Sequence, residues 1–388
     1  MSIARHRTLF ASLTLLPAMA VAVLPAGPAF AATWTVVSTP NASAGLNLFS
    51  GIDAVSITDV WAVGRADHSP DQPFQRPLTA RSTGGGWRLV PNPTLAGQLS
   101  GVDGSSATNV WAVGSREVSL GGGTVTSGTL TERWNGTSWR VVSSPAPPGS
   151  IGSALSGVKT FSTTNAWAVG SYSTSEQPSA RTLIQRWNGL GWSVVPSPNP
   201  DPTTNLLSDI DGASGNDLWA IGNMGFDGYG GTVAGLVLRW NGTAWSRVNV
   251  PGSESDATFS VPRLQDVVVI AANDVWIVGS AFHRTLFKMV PYALHWNGTT
   301  WQRSFMANGP NDGQGFHSVA ALSPTKVYAV GSTIARWTGS SWARESATVP
   351  GVIEDAAATG TSTLWGVGYR YDTNLAQIRT LAMRTTNG

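Results

Sequence analysis

Five residues able to exchange protons or hold a cation recur at one phase of this chain: Asp209, Asp266, His317, Glu354 and Asp355. Each stands ten or eleven residues ahead of an aromatic residue, Trp219, Trp276, Tyr328 or Trp365, so a shared local structure would bring them to one level. There His317 could serve as a general base, with Glu354 fixing its tautomer and Glu354 or Asp355 supplying the acid. The carboxylates offer oxygen ligands of the kind Ca²⁺ takes. No metal-ligand spacing accompanies them, so no cofactor is expected, and Ca²⁺ is the one ion they would suit.

Further binding candidates fall between the repeats described below. Tyr172, Tyr229 and Tyr369 could stack on sugar rings, and Arg284 and Arg370 could clamp a carboxylate. Packing and solvation account for the same residue types, and the sequence leaves both readings open. Other chemistries find no residues to use. There is no Gly-x-Ser-x-Gly elbow, His-Glu-x-x-His pair, phosphate loop or dinucleotide fingerprint. With 0 cysteines, thiolate sites and disulfides are excluded.

The elements that must position these residues are announced by a two-part phrase. Its first half reads Asp59-Val-Trp-Ala-Val-Gly64, Asn109-Val-Trp-Ala-Val-Gly114, Asn165-Ala-Trp-Ala-Val-Gly170 and Asp217-Leu-Trp-Ala-Ile-Gly222, with weaker copies ending at Gly279, Gly331 and Gly368. Short β-branched and aromatic runs closed by glycine predict strands. The second half reads Arg133-Trp-Asn-Gly to Trp139, and recurs to Trp192, Trp245 and Trp301, with Arg336-Trp-Thr-Gly to Trp342 as a variant. Asn-Gly between strand-like runs predicts a type I′ hairpin, in which both central residues take positive φ. All 18 tryptophans fall at these scaffold positions.

The last repeat stops at Asn387-Gly388, while Thr33-Trp34-Thr35 near the other end reads as the missing outer strand. The expectation is therefore an all-β, seven-bladed β-propeller of four-stranded antiparallel blades, its ring closed by the N-terminal strand completing the last blade. The phrase resembles that of secreted bacterial propellers with Val-Trp-Ala-Val-Gly and Trp-Asn-Gly-Thr-x-Trp repeats, and more loosely kelch and tectonin-type propellers. The paired glycines of kelch repeats and the Trp-Asp ending of WD repeats are missing, so no functional residue transfers from either.

Counting eleven residues back from each strand aromatic gives Ser50, Ser100, Ser156, Ser208, Gln265, His317 and Glu354; ten back gives Gly51, Gly101, Gly157, Asp209, Asp266, Ser318 and Asp355. These positions should ring the mouth of the central channel, on the face that carries the long, variable loops. Solvated side chains and strand caps would also suit a water-filled channel, and the sequence does not choose between them and a site.

Residues 1–31 carry Arg5-His6-Arg7, an apolar run from Leu9 to Leu24 and Ala29-Phe30-Ala31, the pattern of a secretory signal peptide. The expected mature domain is 32–388, with no membrane span. With 24 Lys+Arg against 22 Asp+Glu and no basic run, nucleic acid is not an expected partner. The functional expectation is a secreted monomer that binds an extracellular glycan or cell-wall polysaccharide through its long-loop face. A polysaccharide lyase or hydrolase at the channel mouth, and a protein-interaction scaffold, are the alternatives.

Overall fold

The computed structural model describes residues 33–69, 72–93, 95–121, 124–176, 179–225, 234–306 and 315–386. These contain strands and no helices. The strands form seven antiparallel sheets of four, each laid out in chain order except at the seam. Blades 1 to 6 span 47–89, 97–141, 150–194, 205–247, 259–305 and 316–344. Blade 7 takes its inner three strands from 352–386 and its outer strand from Thr33–Val37, which pairs Thr33 with Thr386 and Val37 with Ala382. The seam expected from the two chain ends is thus present.

The aromatic phrase explains how the blades adhere. Each second-strand tryptophan is buried and packs on the hairpin tryptophans of the next blade. Trp61 lies 4.9 Å from Trp134 and 5.1 Å from Trp139, between ring centroids. Trp111 meets Trp187 and Trp192, both at 4.9 Å, and Trp365 closes the ring on Trp87 at 5.4 Å. In blade 6 Tyr328 takes the tryptophan's place and shares a cluster with Trp34 of the seam strand. Tilted and edge-on contacts of this kind add to the burial of large apolar rings.

The Arg of the phrase caps this stack. Arg81 lies 4.8 Å over Trp61 of its own blade and 5.7 Å from Trp134 of the next. Its guanidinium is held by Asp59 through bonds of 2.6 and 2.7 Å. Arg239 repeats this with Trp219 and Asp217. In blade 5 His295 stacks on Trp276 at 3.9 Å and bonds Asp274 at 2.8 Å. In blades 1, 2, 4 and 5 the residue that opens the first half of the phrase is therefore the partner of the residue that opens the second, whereas in blade 6, which opens with Lys326, Arg336 turns to Glu345 instead.

The hairpins differ from expectation. The glycines have positive φ, 100° at Gly136 and 95° at Gly242, but the preceding asparagines do not, so the turns are not type I′. Instead the Asn135 side-chain oxygen accepts from the amides of Thr137 and Ser138, both at 3.0 Å. Asn188, Asn241 and Asn297 do the same. The asparagine serves as a local acceptor, an Asx turn, and only the glycine supplies the left-handed residue.

The glycine that closes each first half answers to a close approach. A Cβ at Gly222 would lie 2.0 Å from the Leu206 carbonyl oxygen of the inner strand. We expect Gly222→Ala to lower stability by about 2 kcal/mol or more, as overpacking does. Gly191→Ala, at a turn position occupied elsewhere by Ser138 and Ala244 with nothing within 4 Å, should be nearly neutral. Thermal unfolding of the two variants decides it.

Candidate functional site at the channel and the long-loop face

The crowding at these glycines has a counterpart in the inner strands. Register slips by one residue between Phe49 and Gly51, and likewise at Ser100, Ser156, Ser208, Gln265, His317 and Glu354. Every residue eleven places before the strand aromatic is thus the extra residue of a β-bulge. Bulges re-aim side chains, which is why this residue and its successor both face the channel although strand neighbours normally alternate. The two sets line one cavity of about 140 Å³, bringing together Asp209, Asp266, His317, Glu354 and Asp355. His317 Nδ1 stands 3.1 Å from Glu354 Oε2 at the rim.

The aspartates below that rim are engaged with their neighbours. Asp266 Oδ2 accepts from the amide of Val319 at 2.7 Å, Asp355 Oδ2 from Ile52 at 2.8 Å, and Asp209 Oδ2 from Val267 at 3.3 Å. Asp355 Oδ1 also receives the Ser318 hydroxyl at 2.8 Å. Each links its own inner strand to that of the following blade. In blades 1 to 3 glycine stands here, and a Cβ on Gly51 would come 2.8 Å from the Ser100 carbonyl oxygen, so those strands touch without a side chain between them.

A second charged layer lies deeper, eight residues before the strand aromatic. Asp53 Oδ2 accepts from Gly104 at 2.9 Å and Asp211 Oδ2 from Val269 at 2.7 Å, while Asp103 Oδ2 accepts from Thr160. Lys159 joins them, its Nζ 2.9 Å from Asp211 and 3.3 Å from Asp103. Upper and lower layers together give each of the seven junctions at least one polar tie. Sequence reasoning passed over this layer; the column Asp53, Asp103, Lys159, Asp211 was its signal.

Burial dominates the protonation of these groups. It pushes Asp53 up to about 8, with Asp103 adding repulsion, and Asp355 up to about 7, with Asp266 adding to it. Asp209 and Asp266 are also raised by burial, and for Asp209 the neighbouring Asp266 carboxyl adds to the effect. Lys159 is held charged well above its ordinary range, because Asp103 and Asp211 outweigh its own desolvation. The channel therefore gathers carboxyls of raised proton affinity beside an ammonium held in its charged form.

On the long-loop face two further cavities continue outward from the mouth. One of about 390 Å³ shares Ser50, Ser100 and Glu354 with it and adds Arg65, Gln98 and Tyr369. The next, of about 470 Å³, shares Gln98 and is walled by Gln75, Ser115, Arg116, Glu117, Thr126 and Ser127. Hairpins of unequal height make these walls. The second strand of blade 2 runs on from Gly114 to Gly121, whereas that of blade 6 ends at Gly331.

Of the other expected binding residues, Tyr369 faces this depression, and Tyr172 packs against the core between blades 2 and 3. Arg284 is exposed and donates to the Asp256 carbonyl at 2.9 Å. Arg370 is exposed on the blade 7 hairpin, and neither arginine lines the mouth. Tyr229 lies outside the described residues. Among the described residues no cluster of three or more metal-ligating side chains occurs, and no helix is long and apolar enough to cross a membrane.

The architecture is that of a seven-bladed β-propeller, and comparison with solved structures agrees. The chain is similar to YCF48 bound to a D1 peptide, with TM-score 0.56 and 11% identity over 92% of this chain and 97% of that one. It is also similar to a protein of unknown function from Dyadobacter fermentans, with TM-score 0.53 and 11% identity over 92% and 98%. No family model matches the sequence, and no curated protein does.

Carboxyls with raised pKa values bind protons more tightly in the native state than in the unfolded chain. Asp53, Asp355 and Glu132, the last raised to about 7 by burial in blade 2, all act this way. Their contribution is intact below the ordinary carboxylate range and is lost as pH climbs toward 7 to 8. These groups should therefore make the midpoint of unfolding fall as pH is raised from about 4.5 to about 8.5. Glu132→Gln should flatten part of that fall; an unchanged slope would refute the assignment for Glu132.

Proposed function

We propose that this propeller is an exported binding protein whose long-loop face takes an extended polypeptide segment. The observation that carries the reading is the run of connected cavities from the channel mouth across blades 7, 1 and 2, lined chiefly by amides, hydroxyls and charges of both signs. Such a lining matches the alternating donors and acceptors of a peptide backbone. Connecting segments on a rigid scaffold are the usual place for recognition. A structural neighbour described as bound to a peptide supports this choice of ligand class, through fold alone. Export rests on the leader-like residues 1–31.

A glycan chain is the second reading, favoured by Tyr369. Its ring lines the same cavity as the Ser50 and Ser100 hydroxyls and Glu354, a platform flanked by polar groups. One aromatic is little for a sugar site, since the tryptophans are committed to blade junctions. The enzymatic alternative would use the His317 and Glu354 pair at the rim.

Arrays of peptides and of glycans, probed with residues 32–388, test these readings together. We expect peptide hits whose affinity falls at least about tenfold, or 1.4 kcal/mol, in Ser115→Trp, which fills the cleft. Arg370→Ala, outside these cavities, should bind as the parent does, whereas a His317→Ala, Glu354→Gln double variant, which alters the channel-mouth end of the run, should bind more weakly. Hits confined to glycans and lost in Tyr369→Ala would replace the peptide reading with the sugar one, and turnover abolished by the double variant would establish the enzyme.

A further inference from the structure

Glu132 is a charge-bearing residue with no place in the binding reading. It lies on the third strand of blade 2, fully buried, at the position held by Ala80, Gln185, Leu238, Leu294, Ala335 and Met383 in the other blades. One carboxyl oxygen, Oε1, is buried without a partner. The other, Oε2, accepts from Asn92 Nδ2 at 2.7 Å. Asn92 lies on the segment joining blade 1 to blade 2, and its carboxamide oxygen stands 3.0 Å from the Thr79 hydroxyl, which also donates to the Val90 carbonyl at 2.6 Å. Thr79 is itself 1% exposed. A buried hydroxyl, a half-buried carboxamide and a buried acid are thus joined by successive hydrogen bonds.

We propose that Thr79 and Asn92 join in an intramolecular ester, with Glu132 as the proton-transfer group. Thr79 Oγ1 attacks Cγ of Asn92, forming the Oγ1–Cγ bond. The nitrogen of the tetrahedral intermediate, now basic, takes a proton from Glu132. The Cγ–Nδ2 bond breaks and ammonia leaves, and the hydroxyl proton restores Glu132. No oxidant or other reactant is needed. Burial keeps Glu132 protonated well above the ordinary carboxylate range, which suits the donor role. A chain with 0 cysteines would gain from it a covalent tie between a strand and the linker to the next blade.

The repeat supplies a comparison at the same positions: in blade 2 the Thr131 hydroxyl donates to the Val142 carbonyl at 2.6 Å as Thr79 does to Val90, but Ser144 stands where blade 1 has Asn92, so Thr131 should stay unlinked. Asn92 also precedes Pro93, which has no backbone N–H, so the cyclisation by which asparagine ordinarily loses ammonia is closed to it.

Tryptic mapping of the full chain tests the proposal. Thr79 falls in the peptide 66–81 and Asn92 in 89–116, so the ester predicts these two joined, lighter by one ammonia and separated by mild alkali. The link should persist in Thr79→Ser and be lost in Thr79→Val and in Glu132→Gln. The last should fold, because Gln185 already occupies the equivalent site, with its amide donating to Pro145. Separate peptides with Asn92 intact would overturn the proposal. Asn92 hydrolysed to an aspartate without a link would overturn it as well.

Discussion

The whole assembly depends on a blade being unable to bury its own tryptophans. The second-strand ring finds its apolar partners on the blade that follows, so each sheet is completed by its neighbour and the last must be completed by the first. With no cysteine in the chain, the ring is held shut by this circular packing, the polar ties beside it and the backbone pairing of the first strand with the last. In blades 1, 2, 4 and 5 the arginine or histidine over the stack is itself held by the acidic or amide residue that opens the phrase, which ties the two halves of the repeat to each other there.

The same circularity sets the chemistry of the channel. Inner strands that converge on an axis have backbone amides without room for a further strand, and carboxylates reaching across from the preceding blade satisfy them. Glycine takes over where the strands touch directly, in blades 1 to 3, and there the ties drop to the deeper layer with Lys159. Carboxyls placed for this structural task carry raised proton affinities as a consequence of burial, so their perturbed titration reflects architecture. His317 and Glu354, above this layer and facing outward, are the pair left available for a ligand.

Much of this was legible in the sequence because the repeat period converts position into geometry. Blade count, the seam at Trp34, and the grouping of Asp209, Asp266, His317, Glu354 and Asp355 follow from counting back from Trp61 and its counterparts. What counting could not reveal is that Ser50 and its equivalents are bulge residues, because the slip depends on contact with Gly64 and the other phrase-ending glycines across the sheet. The Asn-Gly turns were misjudged by propensity alone: asparagine tolerates positive φ, but its side-chain oxygen was worth more as an acceptor. Tyr172 and Arg284 fall in or near variable segments, where sequence fixes neither direction nor neighbour: Tyr172 sits on a strand and packs on the core, while Arg284 stays exposed and bonds a local carbonyl.

The strand Thr33–Val37 is nearly the first segment of the described chain and pairs with nearly the last, Ala382–Thr386. No nascent polypeptide that stops short of those residues can close the circle, however completely its six earlier blades have formed. Until residues 377–386 have been made, the chain holds an open arc with an unsatisfied edge at either side. Loss of the strand Gln377–Thr386 would then leave the protein in that unfinished state permanently, although every other blade was intact.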